Sequence, residues 1–364
     1  MPGSDRLNVA YFITHHGFGH ATRAAAVMAA LAAREPRFHF HIFSKLPELL
    51  FRQVLGDRFT IFPTETDVGL IQQSALEVDL TASLAALNRF YPLDPDKVSH
   101  LTEQVKRLAV RAVFCDIAPL GIAVAAQAAV PSVLIENFTF HWIYEDFLED
   151  EPGFQPIIDI LRTWCEKADF HLQTKPVSDP QPGAPCFEPI ARPIRLGRVE
   201  QRRRLGLADA RPLVLITMGG FGQEMNYIEA LKTRHDITFM MPGTDHAGDN
   251  LICPRWEDNP YHPDLIAACD LVVGKLGYST FAEVYHAGVP FAYIPRDNFR
   301  ESIAIEAFIK AKMPARAMAE GDFHNGRWLD QLGDYLALPP NRKEKINGAD
   351  QVANYLIPRL GSLT

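Results

Sequence analysis

The segment Thr14-His15-His16-Gly17-Phe18-Gly19-His20-Ala21-Thr22-Arg23 sets three imidazoles around a glycine turn. Histidine titrates near neutrality and suits general-base work. Glycines let backbone approach a ligand at a helix N-terminus. At least one of His15, His16 and His20 is therefore a candidate base; the competing reading is that they bond only to loop backbone. A metal cluster is not expected, because no carboxylate stands at ligand spacing in the neighbouring sequence. Asp116, at the end of Phe114-Cys115-Asp116, could orient a catalytic histidine as the acid of a triad does, or cap the helix that follows. A dinucleotide fingerprint would need glycine in place of Thr22 and an acid in place of Ser44-Lys45, so NAD chemistry is not expected.

A second motif is Val272-Val273-Gly274-Lys275-Leu276-Gly277-Tyr278-Ser279-Thr280-Phe281-Ala282-Glu283. It reads as a strand, a tight turn at Gly277 and a helix capped by Ser279 or Thr280, whose first N–H groups form an anion site. No GxxxxGK[ST] is present, which excludes P-loop ATP hydrolysis. Glu283 stands where a capping box would place it; alternatively its carboxylate accepts hydrogen bonds from sugar hydroxyls. A third motif, from Phe291 to Glu301, runs from a strand into a polar loop with Arg296, Asp297 and Asn298. These could read hydroxyls or phosphate, or form an ordinary solvated loop. Glu136-Asn137-Phe138-Thr139-Phe140-His141-Trp142 is aromatic enough for sugar stacking or for plain core.

The elements that must position these residues alternate between strand and helix. Strands are predicted at Leu7–Thr14, Phe38–Phe43 (alternating, hence half-buried), Ala112–Asp116, Ser132–Ile135 and Phe170–Gln173. Helices are predicted at Ala21–Arg34 and Leu120–Ala129. The segment from Asp67 to Leu108 reads as mostly helical, broken near Pro92 and Pro95. Proline density from Lys175 to Pro193 marks an inter-domain linker. The pattern then restarts: strands at Leu213–Thr217, Ile237–Met241, Leu271–Gly274 and Pro290–Tyr293, helices at Pro263–Ala268 and Ser279–Ala287. The turn Gly220-Phe221-Gly222 echoes Gly17-Phe18-Gly19, so two related α/β units are expected. The arginines from Arg192 to Arg204 read as a solvated linker helix. A last helix, Asn347–Leu360, is expected to be interrupted by Pro358.

Composition bounds the classes that remain. With 36 Lys+Arg and 44 Asp+Glu the net charge is −8, and 47% of the 364 residues are hydrophobic. Disorder is excluded, and general nucleic-acid binding is not expected of an acidic chain. Two domains are the natural division of this length. The five cysteines follow no zinc or disulfide spacing. The sequence shows no signal peptide and no apolar run long enough for a membrane helix, so a cytoplasmic protein is expected. Phosphate, if bound, is expected to be held locally by glycine turns and a helix N-terminus beside Lys275 or Arg296.

The motifs together resemble the GT-B glycosyltransferases, a fold of two facing Rossmann-like domains with parallel sheets. The stretch from Cys269 through Gly277, Ser279, Thr280 and Glu283 to Pro290 is similar to the peptidoglycan N-acetylglucosaminyltransferase family. Gly17 to Arg23, Gly274 to Tyr278, Glu136 to Phe140 and Ile346-Asn347-Gly348 resemble the glycosyltransferase-like N-terminal region of L-arabinokinases. Sugar-kinase activity is not expected, since no sequence follows residue 364.

The resemblance implies an acceptor domain at 1–190, a nucleotide-sugar donor domain at 191–345, and a C-terminal helix at 346–364 that packs back on the first domain. It implies a transferase moving a sugar from a nucleotide-sugar, a UDP-sugar by expectation, to an acceptor hydroxyl, inverting and without a metal or other cofactor. His20 matches the family's loop histidine, with His16 the alternative and Asp116 as partner. Donor contacts are implied for Gly219, Gly220, Lys275, Gly277, Tyr278, Ser279, Thr280, Glu283, Arg296, Asp297 and Asn298. Gly17, Phe18, Gly19, Asn137 and Trp142 fall to the acceptor. Partners are expected to be these small molecules. A nucleotide-sugar epimerase and a non-catalytic sugar-nucleotide sensor are the alternatives.

Overall fold

The computed structural model describes residues 6–72, 78–207, 211–218, 226–246, 248–255, 260–296 and 299–361. The chain divides into two compact units. The first runs to Ala191 and includes a short piece ending at Glu301 and the C-terminal segment from Ile346; the second comprises the residues between.

The first unit is built on β1 (Leu7–Ile13), β2 (Phe38–Phe43), β3 (Phe59–Phe62), β4 (Ala112–Asp116), β5 (Ser132–Glu136), β6 (Phe170–Thr174) and β7 (Cys186–Phe187). They pair in parallel in the order β3-β2-β1-β4-β5-β6-β7. The order reverses between β1 and β4, and an open α/β sheet binds ligands beyond the strand ends at such a point. Register sets Ile13 beside Asp116 there.

The alternation of β2 does not mark an exposed face. Phe38, Phe40 and Ile42 pack with the helix Phe18–Arg34, while Phe43 packs on the opposite layer, because helices cover both sides of a parallel sheet. Strand β3 was not legible, being four residues with no clear period. The helix Phe18–Arg34 is alanine-rich and buried along most of its length, since small side chains let it lie close to the sheet. Its other side receives the helix Gly348–Gly361 through Val352, Ala353 and Leu356. Pro358 sits inside that helix without interrupting it; it falls in the last turn, where few hydrogen bonds remain to be lost.

The proline-rich stretch is not a free linker. Part of it forms β7 at the sheet edge, where Gln173 N–H bonds Pro185 O (2.9 Å) and Lys175 N–H bonds Phe187 O (2.8 Å). Proline is tolerated there because an edge strand can lack a donor.

The second unit repeats the plan with β8 (Leu213–Thr217), β9 (Thr238–Met240), β10 (Leu251–Ile252), β11 (Leu271–Lys275), β12 (Phe291–Ile294) and β13 (Ala315–Ala317). All pair in parallel in the order β10-β9-β8-β11-β12-β13, reversing between β8 and β11. The helices His262–Ala268 and Tyr278–Ala287 flank this sheet. The arginine-rich helix Arg198–Arg204 is more than a solvated face. Arg198 and Arg202 reach Asp270 at 2.7 and 3.4 Å, anchoring it to the start of β11. All five cysteines are free. Among the described residues no helix is long and apolar enough to cross a membrane.

Candidate active site

The first unit's chemistry gathers at its reversal point. Gly17 adopts φ 99° and ψ 148°, a region closed to side-chain-bearing residues, and turns the chain from β1 into the helix Phe18–Arg34. The turn puts His20 on the first helical turn and leaves Phe18 exposed at the loop tip. His20 Nδ1 lies 2.8 Å from Asp116 Oδ1, at the end of β4.

Asp116 is completely buried and is also gripped by Arg23, whose Nε and Nη2 donate to its two oxygens at 2.7 Å each. Burial alone would raise this carboxyl. The Arg23 charge and the hydrogen bonds from Arg23 and His20 override that and hold it below its usual value. Arg23 Nη1 donates onward to Asn137 Oδ1, and Asn137 Nδ2 donates to Glu301 Oε1 at 2.7 Å. Asn137 is fully buried with both ends of its amide engaged, so it orients Arg23. Trp142 is half-buried, and the Arg300 guanidinium lies over its ring at 3.9 Å, covering a face that a sugar would use.

A second carboxylate, which the sequence reading missed, enters from the segment after β3. Asp67 is 2% exposed and accepts a hydrogen bond from Thr14 Oγ1 at 2.7 Å. His16 Nε2 is 3.6 Å from Asp67 Oδ1, and His15 Nδ1 is 4.0 Å from the same oxygen. Burial lifts the Asp67 carboxyl to about 6, with the Thr14 hydrogen bond opposing. Burial lowers His16 to about 4, and burial and the neighbouring His16 lower His15. Gly69, at φ 60°, lies under the His16 ring; an added Cβ would fall 2.5 Å from its Cγ. His16 and His20 thus belong to different carboxylates. Arg23 carried a legible signal, since a residue three positions after His20 shares its helix face. Asp67 carried none beyond being an acid near a strand end.

In the second unit Gly277 is the N-cap of the helix Tyr278–Ala287 and no side chain caps it. Ser279 and Thr280 lie inside the first turn rather than at the cap expected of them. Lys275 ends β11; burial lowers its amine to about 8, and the charge of Arg296 adds to the shift. Tyr278 is buried against Phe281.

Glu283 is 3% exposed. Its Oε1 takes Arg192 Nε and its Oε2 takes His262 Nδ1, each at 2.8 Å. Burial would raise this carboxyl, but Arg192 and His262 bring it to about 2. The geometry makes it a buried ion-pair anchor. Gly219, Gly220, Asp297 and Asn298 lie outside the described residues.

Two Rossmann-like units with parallel sheets, each reversing its strand order within the sheet, make up the GT-B fold of glycosyltransferases. The spinosyn forosaminyltransferase SpnP shares it: TM-score 0.61 and 16% identity, with 98% of this chain and 95% of that chain covered. So does Acinetobacter baumannii MurG, at TM-score 0.54 and 15% identity, with 97% and 99% covered. In sequence the chain is similar to Arabidopsis thaliana L-arabinokinase, 28% identical over 375 residues. That match takes in 97% of this chain and 34% of the relative, so the chain spans about a third of its length. No protein-family model matches the chain.

Proposed function

We propose that the chain transfers a sugar from a nucleotide-sugar, a UDP-sugar, to an acceptor hydroxyl with inversion at the anomeric carbon. The observation that carries this reading is the His20–Asp116 contact of 2.8 Å at the reversal point of the first sheet. With Nδ1 held by a buried carboxylate, the imidazole presents Nε2 as the base, and Asp116 stabilises the imidazolium once it forms. The acceptor O–H proton passes to His20 Nε2 as the oxygen attacks the anomeric carbon. The bond from that carbon to the diphosphate breaks, and the electron pair leaves with the nucleoside diphosphate. No metal is assigned a step in this transfer.

The leaving diphosphate is assigned to the second unit. Lys275, Arg296 and the start of the helix Tyr278–Ala287 supply positive charge and N–H dipole there. Similarity to glycosyltransferase folds and to a relative named for a sugar-acting enzyme supports the same class of substrate.

The test is a panel of nucleotide-sugars incubated with purified protein and followed by NMR, with and without candidate acceptors. Acceptor-dependent release of nucleoside diphosphate supports the transfer. Conversion of the donor sugar without an acceptor would instead identify an epimerase. Binding without any turnover, unchanged in His20→Ala, would identify a sensor.

A further inference from the structure

The proposed transfer uses His20 and Asp116 and leaves His15, His16 and Asp67 without a role. From the placement of these three side chains we infer a second site in the first unit: a divalent transition-metal site, Zn²⁺ foremost, bound by His15 Nδ1, His16 Nε2 and the Asp67 carboxylate. Two imidazoles and one carboxylate on one side of an ion, with the remaining positions open, form a recurring ligand set for Zn²⁺ and other first-row divalent ions.

The distances suit it. The three ligand atoms lie within 4.8 Å of one another. His16 Nε2 and His15 Nδ1 stand 3.6 and 4.0 Å from Asp67 Oδ1, and His16 Nε2 also lies 3.4 Å from the Asp67 backbone oxygen, a long contact that it would give up to an ion. Two atoms bound to one ion at ~2.0–2.1 Å lie roughly 3.0–3.4 Å apart, so shifts of a few tenths of an ångström to about 1 Å would close the two histidine–carboxylate distances.

Two independent observations point to a missing ligand. Asp67 Oδ2 is buried without a hydrogen-bond partner, and so is His15 Nδ1. Buried polar atoms are almost always satisfied, and two unpartnered ones within a single cluster of ligand-type side chains call for a partner there. A proton shared between them would need contact at hydrogen-bond distance, and His15 Nδ1 makes none.

The surroundings hold these ligands in place. Thr14 Oγ1 donates to Asp67 Oδ1 at 2.7 Å, fixing the carboxylate as outer-shell donors do in metal sites. Gly69 under the His16 ring and the edge of Phe140, 6.5 Å from it between centroids, set that imidazole. Both imidazoles are partly exposed, so an ion could enter and keep positions open for oxygen donors such as water or a ligand hydroxyl. The inference does not rest on the transferase reading.

The experiment uses the full chain, stripped of metal with a chelator and titrated with Zn²⁺ by calorimetry and with Co²⁺ by visible absorption. One ion per chain is expected, with the d–d bands of a nitrogen- and oxygen-bound Co²⁺. His15→Ala and His16→Ala should each weaken binding tenfold or more, and His20→Ala should leave it unchanged. Zn²⁺ should raise the melting temperature of the wild type but not of the His15→Ala/His16→Ala double variant. Both replaced side chains are partly exposed, so that variant is expected to fold, and its melt in the absence of metal verifies this. Asp67→Asn provides a second removal that conserves volume. Failure of the wild type to bind either ion overturns the inference. So does binding that survives in the folded double variant, which would place the ion elsewhere.

Discussion

His20 Nδ1 and Asp116 Oδ1 meet at 2.8 Å although 96 positions separate them in the chain. Neighbouring parallel strands bring them together: β1 delivers the loop that carries His20, and β4 ends at Asp116 in the adjacent register. Arg23 closes on the same carboxylate from the face of the helix that holds His20. The pair differs from a simple histidine–aspartate couple because part of the carboxylate's charge is already neutralised.

Removal of the base should cost activity more than stability. His20→Ala is expected to lower kcat by about 10²–10⁴. The melting temperature should fall less than for loss of the carboxylate, because Asp116 keeps both hydrogen bonds from Arg23 when His20 is removed. Asp116→Ala should differ, leaving Arg23 buried without its carboxylate at a cost of about 3–5 kcal/mol. Steady-state kinetics beside urea denaturation separates the two effects.

Gly17→Ala isolates backbone strain. No atom lies within 4 Å of an added Cβ, so no collision contributes, and the penalty is that of φ 99° alone. About 1–3 kcal/mol of stability should be lost unless the loop moves. Relief of the strain would re-aim His20, so turnover should fall together with stability.

The ion pair of Glu283 predicts a defined acid response. Its carboxyl sits at about 2 in the folded protein against an ordinary 4.5. A depressed folded value means that this contribution is complete above about pH 4.5 and is lost as pH falls toward about 2. Glu283→Gln should be markedly less stable than the wild type at neutral pH, because Arg192 and His262 lose a buried carboxylate. The gap should narrow across that acid window, as followed by denaturant titrations at stepped pH.

Lys275 predicts a response at the alkaline end. Its amine loses its proton near pH 8, so the positive charge available to a diphosphate disappears as pH rises through that value. UDP affinity measured by calorimetry should fall several-fold between about pH 7 and 9. In Lys275→Met it should begin weaker and change much less over the same range.

The C-terminal helix should be integral to the first unit. Leu356 is fully buried against the helix Phe18–Arg34. Leu356→Ala should therefore cost about 2–5 kcal/mol, seen as a lower denaturation midpoint.

Local sequence determined much of this protein. Apolar runs such as Leu213–Thr217 read as buried strands, the alanines after Gly19 as a close-packed helix, and Gly17 as a place where the backbone bends sharply. From these the α/β class and the histidine-bearing loop were legible, because strand period, helix propensity and glycine's backbone freedom act over a few residues. What the side chains meet was decided by tertiary structure. Asp67 reaches His15 and His16 across 51 or more positions, and Arg192 reaches Glu283 across 91, through strand order and packing that no local pattern encodes. Sequence spacing therefore gave no sign of a carboxylate beside His15 and His16, and it left Glu283 looking open. Burial and long-range pairing, which exist only once the sheets are assembled, set the partner and the charge state of each.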